Sequence, residues 1–177
     1  MDLSQIRIET ERLRLVPVSA RYAEDIFQEY RDPVIQFMNH GPPENLAVLV
    51  KRIEERQAGM KEGIRLSMAI LSSETDEFMG SFTIEGLDQQ SPEMGGWLKH
   101  SAHGHGYGRE AAAGLKQWAD ENIQYNHILW PCAVANTPSR KLAESLGGKV
   151  DREYTKKTAR GTVWPFVDYW IPRHARE

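Results

Sequence analysis

Cysteine is nearly absent. The 177 residues carry one, Cys132, which excludes an internal disulfide. It lies in the apolar run ILWPCAV, where burial is a better reading than reactivity. Long hydrophobic runs are missing as well. No stretch approaches the roughly 18 apolar residues of a membrane span, so no membrane partner is expected. The opening MDLSQIRIETERLRL lacks the basic and apolar blocks of a signal peptide, which makes the cytoplasm the expected compartment. There is no basic excess: a net charge of -3 argues against direct nucleic-acid binding. Repeats and low-complexity linkers are absent, and the length suits one domain spanning 1–177.

What is present is a sequence of short periodic elements. IETERLRLVPV (8–18) alternates apolar and charged residues as a half-buried strand does. SARYAEDIFQEY has helical spacing, with Ser19 the N-cap candidate, and GPPENLAVLVKRIEERQAGMKEG reads as a second helix with prolines at its start and glycine at its end. Three strand-like runs follow (64–72, 78–87 and 93–100), separated by the turns SETDE and DQQSP. After a glycine segment comes a helix with Tyr107, Ala111, Leu115, Trp118 and Ala119 on one face. HILWPCAV is then a strand, NTPSRKLAESLGG a short helix, and KVDREYTKKT and TVWPFVDYWIP the last two strands. The expected order is β-α-α-β-β-β-α-β-α-β-β: an α/β (α+β) domain whose largely antiparallel sheet contains one β-α-β crossover. The aromatic tail serves either the core or a self-association surface, so a homodimer stays among the expected partners.

The segment HGHGYGREAAAGL (103–115) puts three glycines at alternate positions where a helix begins. Successive amides there can point at one ligand, and the helix dipole adds positive potential, an arrangement that suits pyrophosphate. A flexible turn is the plain alternative, but glycine at these positions weakens the helix by roughly 0.5–1 kcal/mol each. GYGREA also satisfies G-x-G-x-x-A, yet the segment follows meander strands and no acidic residue stands about 20 positions on. HGH lacks a third ligand at a recognisable spacing, so no metal is expected. Gly95-Gly96 inside a strand suggests a bulge or a close backbone approach, and Pro131 suggests an unpaired stretch in its own strand.

Together with ETERLRLVPVS, RDPVIQFM, MGSFTIEG, EMGGWLKHSAHGHGYGREA and ANTPSRKLAESLGG, these features give a resemblance covering nearly the whole chain. It resembles the GNAT superfamily of acetyl-CoA-dependent N-acetyltransferases, and within it the RimJ/RimL type that acetylates ribosomal-protein N-termini. The resemblance implies a seven-stranded sheet with splayed central strands and helices on both faces. It implies acetyl-CoA as cofactor and a small-molecule or peptide amine as partner.

The family's pyrophosphate loop, Q/R-x-x-G-x-G/A, matches His103 to Gly108, with His103 standing where Gln or Arg is usual. Carried over, it places His103, Gly104, His105, Gly106, Tyr107, Gly108 and Arg109 at the pyrophosphate. The strand around Gly95 to Lys99, including Trp97, Leu98 and Lys99, would pair with the pantetheine arm, and an N–H near Leu98 would polarise the thioester oxygen. Asn136 and Ser139 match the family's N-x-x-S, with Ser139 placed to protonate the departing thiolate, although Asn136 before TPS is also a good helix cap. An attacking ammonium must first lose a proton. Glu93, beside the glycine pair, is the first candidate base and Glu85 the second. Tyr154 is a fallback acid, and Glu110 is explained by the helix dipole alone. A domain that holds acyl-CoA without turnover, as a sensor or regulatory module, is the alternative function. The sequence leaves acceptor choice to the N-terminal helices (19–62) and the loop 156–163, without a readable code.

Overall fold

Eight strands form one sheet in the order β1-β2-β3-β4-β5-β6-β8-β7 in a computed structural model that describes residues 1–174. The run expected as one first strand is two, β1 (Ile8–Glu9) and β2 (Leu13–Pro17), folded back on each other antiparallel. The cause is the turn between them. Thr10 N donates to Leu13 O (2.9 Å), and the Thr10 hydroxyl accepts from Leu13 N (3.1 Å). Such side-chain bonds compete with an extended strand. The sheet therefore has eight strands rather than seven; its mixed, largely antiparallel character is as expected.

Ser19 opens the next helical segment through its backbone carbonyl, which accepts from Tyr22 N, with no side-chain cap. A single 3-10 turn leads into α1 (Ala23–Glu29). The second helix, α2 (Leu46–Glu62), begins after the prolines rather than at them. Asn45 caps it by accepting from Val48 N (3.0 Å), and Gly63 ends it in the left-handed region at φ 79°. β3 (Arg65–Ser72), β4 (Phe78–Glu85) and β5 (Glu93–Leu98) then form the antiparallel meander. β3 and β4 are buried at nearly every position, which means both faces of the sheet are covered there.

The crossover runs from β5 through α3 (Tyr107–Asn122) to β6 (His127–Ala133), the one parallel neighbour pair among the described residues. α3 buries Ala111, Leu115, Trp118 and Ala119 as the periodicity predicts. α4 (Thr137–Ser145), β7 (Lys149–Lys157) and β8 (Val163–Pro172) complete the chain, with β8 between β6 and the edge strand β7. The aromatic tail is mostly core: Phe166, Val167, Tyr169 and Ile171 are buried, while Trp170 and Val163 face out. Cys132 is buried, and burial pushes its thiol up to about 11. Among the described residues no helix is long and apolar enough to cross a membrane.

Candidate active site

β5 and β6 touch at one place only. Glu93 pairs with Leu129, and beyond that point the two strands part. Ladder alternation determines what faces the opening. Lys99 N donates to Met79 O (2.9 Å) on β4, so the N–H groups of Leu98, Gly96 and Met94 turn the other way, toward β6. From the opposite side, Leu129 N donates to Pro92 O (2.9 Å), which puts the backbone nitrogens of Leu129, Pro131 and Ala133 toward β5. Pro131 thus sits where an N–H would have had no acceptor, which is why proline is tolerated inside this strand.

The glycine pair divides into two jobs. A Cβ on Gly96 would lie 2.4 Å from Ser81 O and 2.5 Å from the Phe82 ring, so this residue lets β5 approach β4 closely. A Cβ on Gly95 would meet nothing within 4 Å.

Trp97 and Lys99 do not face the gap. Trp97 is buried against Tyr30 and Phe78, with ring centroids 5.2 and 5.9 Å away, and the Lys99 ammonium is ion-paired with Glu77. The same alternation that presents Leu98 to the gap turns its neighbours toward β4 and the core.

At the wide end of the gap lies the start of α3. Gly104 and Gly106 have φ of 80° and 81°, conformations that side chains rarely adopt; a Cβ on Gly104 would meet nothing within 4 Å, and one on Gly106 would meet only Arg12 Nη2 at 3.5 Å. Among the described residues, the amides of Gly104, His105 and Gly106 and the first-turn amides of Tyr107, Gly108 and Arg109 find no acceptor within the chain. Six donors at the positive end of a helix dipole form a basin for an anion. The Arg109 side chain is exposed beside them. His103 is turned back instead, donating from Nε2 to Leu98 O (2.9 Å), which ties the loop to the strand.

Glu110 does more than answer the helix dipole. Its carboxylate accepts from the Thr10 hydroxyl (2.6 Å), Arg12 N (2.7 Å) and Arg12 Nε (2.8 Å). Partial burial raises its affinity for a proton, but these bonds outweigh that and hold the carboxyl below its usual range. Arg12 in turn donates from Nη1 to His105 O (3.0 Å) and lies 4.7 Å from the Tyr107 ring centre. The β1–β2 turn thereby braces the glycine loop. Thr10 and Arg12 were missed because a contact across about a hundred residues leaves no local signature.

Where the strands meet, a cavity of about 250 Å³ opens. Gly95, Gly96 and Glu93 line it from β5, Trp130 to Ala133 from β6, and Asn136 and Ser139 from α4. Glu93 is wetted at its surface but hemmed in by the cavity walls. That desolvation, with the Glu85 carboxylate next, raises its carboxyl above the ordinary range. Glu85 is the poorer base because Arg65 holds it in an ion pair. Tyr154 points elsewhere: its hydroxyl donates to Asp168 (2.9 Å), and burial first, then that carboxylate, raise it.

Ser139 stands in the cavity with its Oγ accepting from Trp130 Nε1 (2.9 Å), and its amide donates to Asn136 Oδ1 (3.3 Å). Asn136 is therefore the N-cap of α4 as well as a wall of the cavity. Phe37, Met38, Asn39, Arg56 and Lys156, from the regions the sequence left without a code, close the remaining side together with Arg65 of β3.

The sequence model for the family described as "Acetyltransferase (GNAT) domain" matches residues 12–149. An uncharacterized N-acetyltransferase p20 from Bacillus licheniformis is 29% identical over 157 residues, covering 85% of this chain and 88% of that protein. Among solved structures, RimL, a ribosomal L7/L12 alpha-N-protein acetyltransferase in complex with coenzyme A, superposes with a TM-score of 0.85 at 15% identity, over 97% of this chain and 100% of its own. The microcin C7 self-immunity acetyltransferase MccE, in complex with acetyl-CoA and AMP, gives a TM-score of 0.82 at 19% identity, over 97% and 98%.

Proposed function

Because this chain belongs to the GNAT acetyltransferase family, we propose that it transfers the acetyl group of acetyl-CoA to a primary amine, with both held together in the opening between β5 and β6. One observation carries this reading: a strand gap lined with outward-facing backbone donors runs from an unpaired amide basin to a cavity holding a raised carboxylate. The basin suits a pyrophosphate, and the Gly96 and Leu98 amides suit the carbonyls of an extended amide chain. The donor set thus fits acetyl-CoA, which supplies an activated thioester when bound.

The residues of the chain divide the work. Amides from Gly104 to Arg109 bind phosphate oxygens, with Arg109 adding charge from the rim. His103 secures the loop and does not itself reach outward. Leu98 and Gly96 orient and polarise carbonyl groups in the gap, where few waters compete. Glu93, with its raised affinity for protons, accepts the proton that the substrate ammonium must lose. Ser139, its oxygen fixed by Trp130, presents its hydroxyl proton at the opposite wall, and Asn136 positions Ser139 through the helix cap. Bringing the two reactants together supplies much of the acceleration. The likeness to RimL supports a peptide N-terminus among the acceptors, beside small amines.

The test is release of free thiol from acetyl-CoA in the presence of a panel of peptide N-termini, amino acids and polyamines, with the acetylated amine identified by mass spectrometry. At least one amine is expected to be acetylated, and Ser139→Ala to slow the reaction. Tight binding of acetyl-CoA with no transfer to any amine would favour the sensor function instead.

A further inference from the structure

Resting on the acetyl-transfer reading above, we propose that the acceptor amine also carries a carboxylate, and that Arg56 holds it. Arg56 lies on α2 in line with Ile53 and Met60, at the helical spacing that forms the buried face of this helix. A guanidinium among such neighbours is ordinarily paired. Arg56 has no ion pair and no hydrogen bond among the described residues, and it lines the same cavity as the candidate base.

Its surroundings are short of negative charge. Arg65 lies close by and takes Glu85 for itself. The Arg65 stem passes close over Gly59, where a Cβ would come within 2.7 Å of Arg65 Cδ. Lys156, on the far wall, rests its Nζ 5.1 Å from the Phe166 ring centre and has no carboxylate partner among the described residues. Arg56 is half-buried, and that desolvation, then Arg65, disfavour its charge.

Three cations therefore face two carboxylates in the cavity. One carboxylate is occupied by Arg65, and the other, Glu93, is assigned to the amine. The missing negative charge belongs to the ligand. A carboxylate matches the planar fork of a guanidinium in bidentate fashion. The cavity, at about 250 Å³, is smaller than the roughly 300 Å³ at which sites for drug-sized ligands begin. It takes a small acceptor or the end of a larger one. A free amino acid and a peptide whose residues near the N-terminus are acidic share this chemistry.

The experiment compares matched acceptors by thiol release from acetyl-CoA. One arm sets free amino acids, such as serine and alanine, against their C-terminal amides. The other sets amidated peptides beginning Ser-Asp against Ser-Asn. We expect kcat/KM to favour the carboxylate in one arm by about tenfold or more, and that arm identifies the source. In Arg56→Gln the ratio falls to about one, and Arg56→Lys restores part of it, with folding of each variant checked by circular dichroism. Equal use of both members of every pair, or a ratio that survives Arg56→Gln, overturns the proposal and leaves acetyl transfer standing. If no amine is acetylated, the acetyl-transfer reading fails instead, and calorimetric titration of the CoA-saturated protein with the same pairs decides the anion site. Binding of the carboxylate member alone, lost in Arg56→Gln, supports it; equal binding or none overturns it.

Discussion

Replacing Glu110 with glutamine separates two accounts of this residue. If its charge served only the helix dipole, the loss would cost about 0.3–1 kcal/mol. The structure gives it three partners: the Thr10 hydroxyl, Arg12 N and Arg12 Nε. A glutamine can keep the two bonds to Oε1, as neutral bonds, but its NH2 group would then confront Arg12 Nε, a donor facing a donor. Bonds to charged groups contribute about 1.5–3 kcal/mol and neutral ones about 0.5–1.5. Arg12 is 45% exposed, so water recovers part of the loss, and about 2 kcal/mol is the expected cost. For a chain of this size that lowers Tm by about 4–8 °C.

The pH dependence carries a sign. The Glu110 carboxyl is held below its unfolded value, so its contribution is present above the ordinary glutamate range and is lost as pH falls through the depressed folded value. The difference in Tm between wild type and Glu110→Gln should therefore be full at neutral pH and shrink in acid. Thermal denaturation followed by circular dichroism at several pH values measures it. A neutral-pH difference of about 1 °C or less, or one that does not change with pH, would refute the clamp.

Other substitutions test the strand gap and the chemistry. Gly96→Ala puts a methyl 2.4 Å from Ser81 O and should cost about 1–3 kcal/mol; Gly95→Ala, with nothing within 4 Å, should stay within about 0.5 kcal/mol of wild type, and equal Tm values for the two would contradict the assigned strand contacts. Glu93→Gln should lower kcat by about a hundredfold or more with little change in KM for acetyl-CoA. The wild-type rate should fall as pH drops through the raised Glu93 value, because the base becomes protonated; the variant should lack that limb, and an unchanged profile would assign the proton to another acceptor.

How much of this was legible depended on how locally each feature is encoded. The amide basin was readable because glycines at 104, 106 and 108 act within a single turn. Pro131 pointed to the strand gap because a missing N–H constrains its own ladder position. Among the described residues, periodicity located the four α-helices and the strands of the meander. The division of the first strand was not readable, since it depends on Thr10 closing a turn on Leu13.

Glu85 stood second to Glu93 as a candidate base, and the register that sets Arg65 opposite it was not readable. The resemblance places Trp97, Leu98 and Lys99 all along the pantetheine arm, but ladder alternation turns only Leu98 of the three to the gap. Arg56 is not singled out in the sequence, because nothing in its neighbourhood along the chain announces the nearby Arg65–Glu85 pair.

The central claim is that the amides of the glycine loop and the gap between β5 and β6 hold acetyl-CoA. Calorimetric titration with acetyl-CoA, of the wild-type protein and of Gly106→Trp, tests it most directly, because an indole at φ 81° would fill the basin and strain its backbone. The account predicts micromolar binding to wild type and its loss in a variant that remains folded. Absence of binding to folded wild-type protein, or undiminished binding to the variant, would contradict it.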